Sequence, residues 1–511
     1  MTAASTIAAT NSGTGTGFLR LPPEIRNLVL VNIRDRRTMK RLGQTCKTLH
    51  CEAMSWLYHR ITIEAHSPDD LPRLRRSLEP LLRIAQKKKL KGGLRQQTRY
   101  STTSSPTTLD LGYAGYVRRL LIDIACPDSA AFPHCQRHEL FRYIEEVFEN
   151  LSMLEVVVTN LVTESIARRI TSLEHLRAFN IYSSLFMSPT AEDFLRQVKG
   201  LKNLVLPASV PDPVVRSMAL NSAPTLRTLS LSRVGSEVFQ KGSGTSLVRG
   251  PLCLSSLTSL TLGSLDWDKK PPEETIRQML ESIDFLKLER LVILGPCTTN
   301  SPLFESLAGV FGTASRPYLT TLEIRIWMNV EAVVRFISSF HTLTSLALSY
   351  QRLLDRDDLE YLLPAILKHT RLETLRIPYR KKGSEGVPLS AQTVGAIVDG
   401  LPVLRNFEFA PEEENLKEIG QKLARAANLR SIVCFHRGLA FQSLDSAGNL
   451  SGEAFVPPLL TPATAVPPTQ MIERPKWYCC TELPIFSLRG STLPLVFRPS
   501  GSCARYAYVD H

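Results

Sequence analysis

A pattern of three apolar residues, apolar-x-x-apolar-x-apolar, recurs twelve times along this chain, and few folds accommodate such a repeat. The copies are Val117-Leu120-Ile122, Leu151-Leu154-Val156, Leu176-Phe179-Ile181, Leu201-Leu204-Leu206, Leu226-Leu229-Leu231 and Leu257-Leu260-Leu262, then Leu288-Leu291-Ile293, Leu319-Leu322-Ile324, Leu343-Leu346-Leu348, Leu372-Leu375-Ile377, Leu404-Phe407-Phe409 and Leu429-Ile432-Cys434. Their middle residues are 34, 25, 25, 25, 31, 31, 31, 24, 29, 32 and 25 positions apart. The last two apolar positions of each copy alternate, which puts both on one face of a short strand. The segments between copies have helical periodicity. In one, Leu416, Ile419 and Leu423 recur at i, i+3 and i+7, with Pro411 and Glu412 to Glu414 ahead of them and Lys422 and Arg425 behind, the charge order a helix dipole favours. In another, Ser188 is an N-cap, Pro189 fills the first turn and Gly200 ends the helix; a third runs from Ser390 to Gly400. Strand then helix, about twelve times, predicts an α/β solenoid with a parallel sheet on its concave side.

Over residues 112–436 the pattern resembles the leucine-rich-repeat family. The family's Asn or Cys after the strand is missing: Leu206 is followed by Pro-Ala-Ser and Leu231 by Ser-Arg-Val. The unequal repeat lengths predict irregular curvature and looped-out insertions.

Ahead of the repeats, residues 18–63 read as a compact unit of three helices. Leu21-Pro22-Pro23-Glu24-Ile25 opens the first, on which Ile25, Leu28, Val29 and Ile33 form one apolar stripe. A second carries Met39 and Leu42, and a third runs from about Thr45 to Leu57 with Cys46, Leu49, Ala53 and Leu57 at helical spacing. A unit of this size buries little surface alone, so its stripe needs a partner. The residues Leu21, Pro22, Glu24, Ile25, Leu28, Ile33, Leu42, Thr45, Cys46, Lys47, Leu49, His50, Leu57 and Tyr58 resemble an F-box. That resemblance implies docking to the adaptor subunit of a cullin–RING, SCF-type ubiquitin ligase through Leu21, Pro22, Glu24, Ile25, Leu28, Val29, Ile33, Leu42, Cys46 and Leu49. Bare capping of the first repeat is the alternative use of these helices.

Charge is unevenly spread over the 511 residues. Residues 1–110 hold 19 Lys or Arg against 8 Asp or Glu, and the remaining 401 hold 42 against 40. The near-neutral repeat region argues against an extended nucleic-acid surface, leaving residues 73–99 as the one basic stretch that could serve that role. Its lysines Lys87, Lys88, Lys89 and Lys91 lie in a Ser/Thr-rich segment that predicts a disordered loop (86–108) within a linker (64–111); a nuclear-import signal is the functional reading of that run. Residues 1–17 are uncharged and read as a disordered tail, neither signal nor transit peptide. No apolar run is long enough for a membrane span. Ten scattered cysteines, with no CxxC pair, fit reduced thiols and a cytoplasmic or nuclear protein. Residues 437–511 begin Pro-rich and predict a poorly ordered region, whose later stretch WYCCTELPIFSLRGSTLPLVFRPSG holds short apolar runs that could pair as a strand or two, cap the final repeat or bind a partner.

Motifs for catalysis are lacking: there is no GxSxG, HExxH, P-loop or dinucleotide fingerprint. Cys126, His134, Cys135 and His138 have spacing too irregular for zinc, so neither cofactor nor metal is expected. The expected role is non-enzymatic: the repeats hold a target protein on outward strand residues while other subunits deliver ubiquitin. Those residues are Glu323, Arg325 and Trp327 on one strand, Ser349 on the next, and Arg376 and Arg380 on a third; the arginines suggest an acidic or phosphorylated target. An interaction scaffold unconnected with ubiquitin transfer is the alternative.

Overall fold

The computed structural model describes residues 17–33, 35–67, 69–93, 112–124, 134–183, 187–235, 237–239, 252–266, 272–294, 301–313, 317–326, 330–350, 356–377, 388–434 and 476–479. Three helices come first: α1 (Pro23–Asn32), α2 (Arg36–Gly43) and α3 (Lys47–His59). Asp35 caps α2, accepting from the Thr38 N–H at 2.8 Å and its hydroxyl at 2.5 Å. Leu30, Met39 and Ala53 form a small core of their own, with Ile33, Leu42, Trp56 and Leu57 packed against it.

The chain leaves α3 directly into β1 (Arg60–Ala65), the first strand of a parallel sheet. Strands then follow in strict chain order: β2 (Arg119–Ile124), β3 (Val156–Thr159), β4 (Ala178–Ile181), β5 (Asn203–Leu206), β6 (Thr228–Gly235) and β7 (Ser259–Asp266). Next come β8 (Arg290–Ile293), β9 (Thr321–Ile326), β10 (Ser345–Tyr350), β11 (Thr374–Ile377), β12 (Asn406–Phe409) and β13 (Ser431–Cys434), and β14 (Lys476–Cys479) adds in parallel to β13. On the other side of the sheet lie α4 (Asp70–Gly93), α5 (His134–Asn150), α6 (Glu164–Thr171), α7 (Pro189–Leu195), α8 (Asp212–Ser222) and α9 (Pro272–Ser282), followed by α10 (Ser301–Thr313), α11 (Val330–Ser338), α12 (Arg356–Leu367), α13 (Ala391–Gly400) and α14 (Leu416–Leu423).

Each copy of the repeat supplies one strand from β2 to β13, and its inward leucines are almost wholly buried. Burying a Leu or Ile fully contributes about 1.5–3 kcal/mol, so the repeated apolar positions are what close the helix layer onto the sheet. The second copy sits three residues later than the apolar pattern suggests. Val157, not Leu154, pairs with Leu120 and Phe179. The inward residue after it is Thr159, whose polarity hid the true register. Its buried hydroxyl donates to the Leu161 carbonyl (2.7 Å) and accepts from the Leu161 N–H (2.9 Å).

The sequence placed residues 60–63 in the helical unit, but Ile61 and Ile63 belong to β1, which pairs with β2 over six residues. Nor is the segment from residue 70 to residue 93 a linker ending in a loop: it forms α4, with Leu71, Leu74, Leu78 and Leu81 buried, and the backbone of the Lys87–Lys91 run lies in its last turns. Residues 94–108 fall outside the described residues. Of the expected caps, Ser188 accepts from the Ala191 N–H at 3.2 Å and Ser390 from the Thr393 N–H at 3.2 Å. Gly200 does not end α7, which stops at Leu195; with φ +73° it makes the left-handed turn into β5.

Backbone pairing at the starts of the strands is regular. The residue before each strand, in turn Arg118, Glu155, Arg177, Lys202, Arg227, Thr258, Glu289, Thr320, Thr344, Glu373 and Arg405, accepts two N–H groups from the next repeat at 2.6–3.0 Å. At the end of β2 a side chain takes over this pairing. Asn160 accepts from the Ile124 N–H (3.1 Å) and donates to the Ile124 carbonyl (2.6 Å), all of it buried. Asn160→Ala leaves both backbone groups unpaired and is expected to cost about 2–4 kcal/mol; an unchanged urea midpoint would show that water replaces the amide there.

Candidate protein-interaction surfaces

Two surfaces stand out. The first is α1. Arg26 reaches across to α3, with its Nη2 2.6 Å from a Glu52 carboxylate oxygen and its Nε 3.0 Å from the same oxygen, while Nη1 donates to the Leu21 carbonyl at 2.6 Å. The ion pair and hydrogen bond hold the Arg26 guanidinium pKa above its ordinary value. This clamp fixes the start of α1 on α3 and leaves the opposite face of α1 open. Ile25 is 42% exposed, Leu28 61%, Val29 41% and Val31 52%. Pro22 and Glu24 are exposed beside them, and Leu21 is half-buried.

The ten residues that the F-box resemblance implicates therefore divide. Ile25, Leu28 and Val29 form an outward ridge, whereas Ile33 and Leu42 pack against the inner cluster and Leu49 is buried. Cys46 is half-buried at the N-cap of α3. The helical unit is joined firmly to the repeats: Tyr58 stacks on Tyr113 with ring centroids 4.6 Å apart, and the Arg118 N–H donates to the His59 carbonyl at 3.0 Å.

The second surface is the face of the sheet turned away from the helices. Strand alternation puts Glu323, Arg325, Ser349 and Arg376 there, and the register gathers them. Arg325 pairs across with Ser349, Glu323 with Ala347, and Ala347 with Arg376. Trp327 and Arg380 lie outside the described residues. Arg376 is not free to meet a target's phosphate unaided: its Nε is 3.4 Å from a Glu408 carboxylate oxygen on β12, directly across the strand pair. Burial pushes the Glu408 carboxyl pKa up, and the Arg376 guanidinium opposes that shift. Sequence reading missed Glu408, although it occupies the same repeat position as Arg376 and superposing Asn406–Phe409 on Thr374–Ile377 finds it. Tyr182 was missed as well; its hydroxyl donates to the Ile122 carbonyl at 3.1 Å, and burial together with Asp123 raises its pKa.

Among the described residues, no group of His, Cys, Asp and Glu could hold a metal ion, and no helix is long and apolar enough to cross a membrane. Cys126 lies outside the described residues, and His138 sits on α5.

Comparison adds little. No family model and no curated protein matches this chain. A solved structure of an internalin from Listeria monocytogenes is 13% identical, with a TM-score of 0.32, over 71% of this chain and 93% of that one. So distant a likeness decides neither family nor role. The parallel repeat sheet itself is the finding: a solenoid of leucine-rich β-α units with one open strand face.

Proposed function

We propose that this protein is the substrate-recognition subunit of an SCF-type ubiquitin ligase, working in the cytosol or nucleus and performing no bond chemistry of its own. The observation that carries the reading is the apolar ridge of α1, held outward by the Arg26–Glu52 clamp. Three adjacent aliphatic side chains facing solvent at the head of a motif resembling an F-box suit a helical adaptor groove. The open face of the repeats would hold the target. Binding in that arrangement raises the effective concentration of target lysines near the ubiquitin-charged enzyme.

Co-purification with the cullin-ligase adaptor tests this. Leu28→Asp with Val29→Asp alters exposed positions only, so the fold should survive by circular dichroism. Loss of about 3 kcal/mol of apolar contact predicts at least roughly hundredfold weaker adaptor binding. Wild-type protein that fails to bind the adaptor would sink the ligase reading. The second reading, an interaction scaffold whose helices cap the first repeat, is favoured by the direct run from α3 into β1 and by the Tyr58–Tyr113 stack. It would then stand alone.

A further inference from the structure

The residues before the strands form a column along one rim of the sheet, each with its backbone pinned by the paired N–H groups described above. Near both ends the column neutralises itself. Arg118 Nε lies 3.6 Å from Glu155, and Arg405 Nη1 lies 3.2 Å from Glu373. Between these pairs stand Arg177, Lys202 and Arg227 on three consecutive repeats, then Thr258, Glu289, Thr320 and Thr344, so the three cations are contiguous and the one acid of this stretch lies two repeats beyond Arg227. Arg177 and Arg227 are exposed and Lys202 is half-exposed, and among the described residues none of the three forms an ion pair. Glu174, the nearest acid in sequence, does not engage Arg177. The neighbouring strand positions add Asn203 and Thr228, which can also donate hydrogen bonds.

We propose that this rim docks an acidic segment of a partner protein, a run of Asp and Glu side chains lying across β4 to β6. Neighbouring strands are about 4.8 Å apart, so the three cations span roughly 10 Å. That is far wider than one phosphate and matches several separate carboxylates. The loops beneath are tied down: Thr225 donates to the Leu201 carbonyl at 2.9 Å, and Asn221 donates to the Arg196 carbonyl at 2.8 Å. The backbone carrying the cations is thus ordered before binding, which lowers the cost of association. This deepens the reading of the repeats as a protein-binding scaffold and rests on it, not on the adaptor contact.

The test is fluorescence anisotropy of a labelled deca-glutamate peptide with the full chain, with deca-glutamine, a phosphoserine peptide and oligo-dT as parallel probes. Wild type should bind deca-glutamate in preference to the other three, less tightly as salt rises. Arg177→Glu, Lys202→Glu and Arg227→Glu together should weaken it at least about tenfold. A control carrying Lys368→Glu, Lys417→Glu and Arg425→Glu, with the same change in net charge, should stay within about twofold. If the reversal variant does not fold, the triple Gln variant at the rim replaces it, and a smaller loss absent from the control is the expected result. No deca-glutamate binding by wild type, equal loss in rim and control variants, or tighter rim-dependent binding of the phosphopeptide or oligo-dT would overturn the proposal. Adaptor co-purification on the same proteins separates the two readings: adaptor binding without peptide binding removes the rim proposal alone, and peptide binding without adaptor binding supports it while removing the ligase.

Discussion

Phe336→Ala is expected to destabilise the protein by about 3–5 kcal/mol, the range for emptying a buried aromatic site. Phe336 on α11 is fully buried. Its ring centroid lies 5.9 Å from that of Phe304, 5.5 Å from Phe311 and 5.4 Å from Phe340, so one side chain joins α10 to α11 and to the turn beyond. In a repeat array stability is a sum of unit and nearest-neighbour terms. Weakening this junction should therefore do more than lower the urea midpoint: it should split one transition into two as the repeats on either side of α11 uncouple. Circular dichroism across a urea titration reads both effects. Phe336→Leu, which keeps most of the volume, should shift the midpoint less and leave a single transition. A midpoint unmoved by the alanine variant would mean that the helix layer is not packed as described.

The second large effect is acid sensitivity at His369. This side chain is fully buried, its ring packs edge-on to Phe340 at 5.4 Å, and Nε2 lies 3.2 Å from the Ile337 carbonyl. Burial pushes its pKa down to about 4; the Ile337 carbonyl opposes that shift, and the His341 and Lys368 charges add to it. The unfolded chain takes up this proton near pH 6.5. Between pH 6.5 and about 4 the unfolded state therefore binds more protons than the native one, and stability falls as pH falls. The full difference is about 3 kcal/mol, present above pH 6.5 and lost by pH 4. His369→Leu sacrifices the carbonyl contact but removes this proton uptake. Unfolding midpoints measured from pH 7.5 to 4 should fall more steeply in wild type than in the variant; parallel acid limbs would place the proton uptake elsewhere.

The strands were legible because their inward positions are leucines at constant offsets, and a Leu-x-x-Leu-x-Leu unit has few other folded uses. Where the inward residue is Thr159, the same reasoning slipped by three residues: burial of a polar group depends on partners such as Leu161 that composition does not reveal. Strand β1 was hidden because Arg60–Ala65 follows the helical motif without a break. In α4 a helical signal was present, in Leu71, Leu74, Leu78 and Leu81, but the lysine run beyond it dominated the reading. The open sheet face followed from alternation alone. Its electrostatics did not, since the Arg376–Glu408 pair depends on register between strands 32 residues apart. Likewise, Arg177, Lys202 and Arg227 become neighbours only once the repeats are stacked. On α1, helical periodicity grouped Ile33 with the outward residues, whereas Ile33 in fact packs inward beside Leu30.

The strict chain order of the sheet bears on how such a protein can be made. From β2 to β13, the central residues of adjacent strands are separated by only 22 to 37 positions, Val157 to Phe179 being the shortest step and Leu120 to Val157 the longest. No strand in that run must wait for a distant partner, so contact formation stays local despite the length of the chain. During synthesis each new unit meets a finished edge, the strand just before it, and can add to it as it emerges from the ribosome. The growing edge at any moment is one short strand, and the next thirty or so residues cover it. A sheet of this size built in any other order would leave several open edges at once, each a template for aggregation.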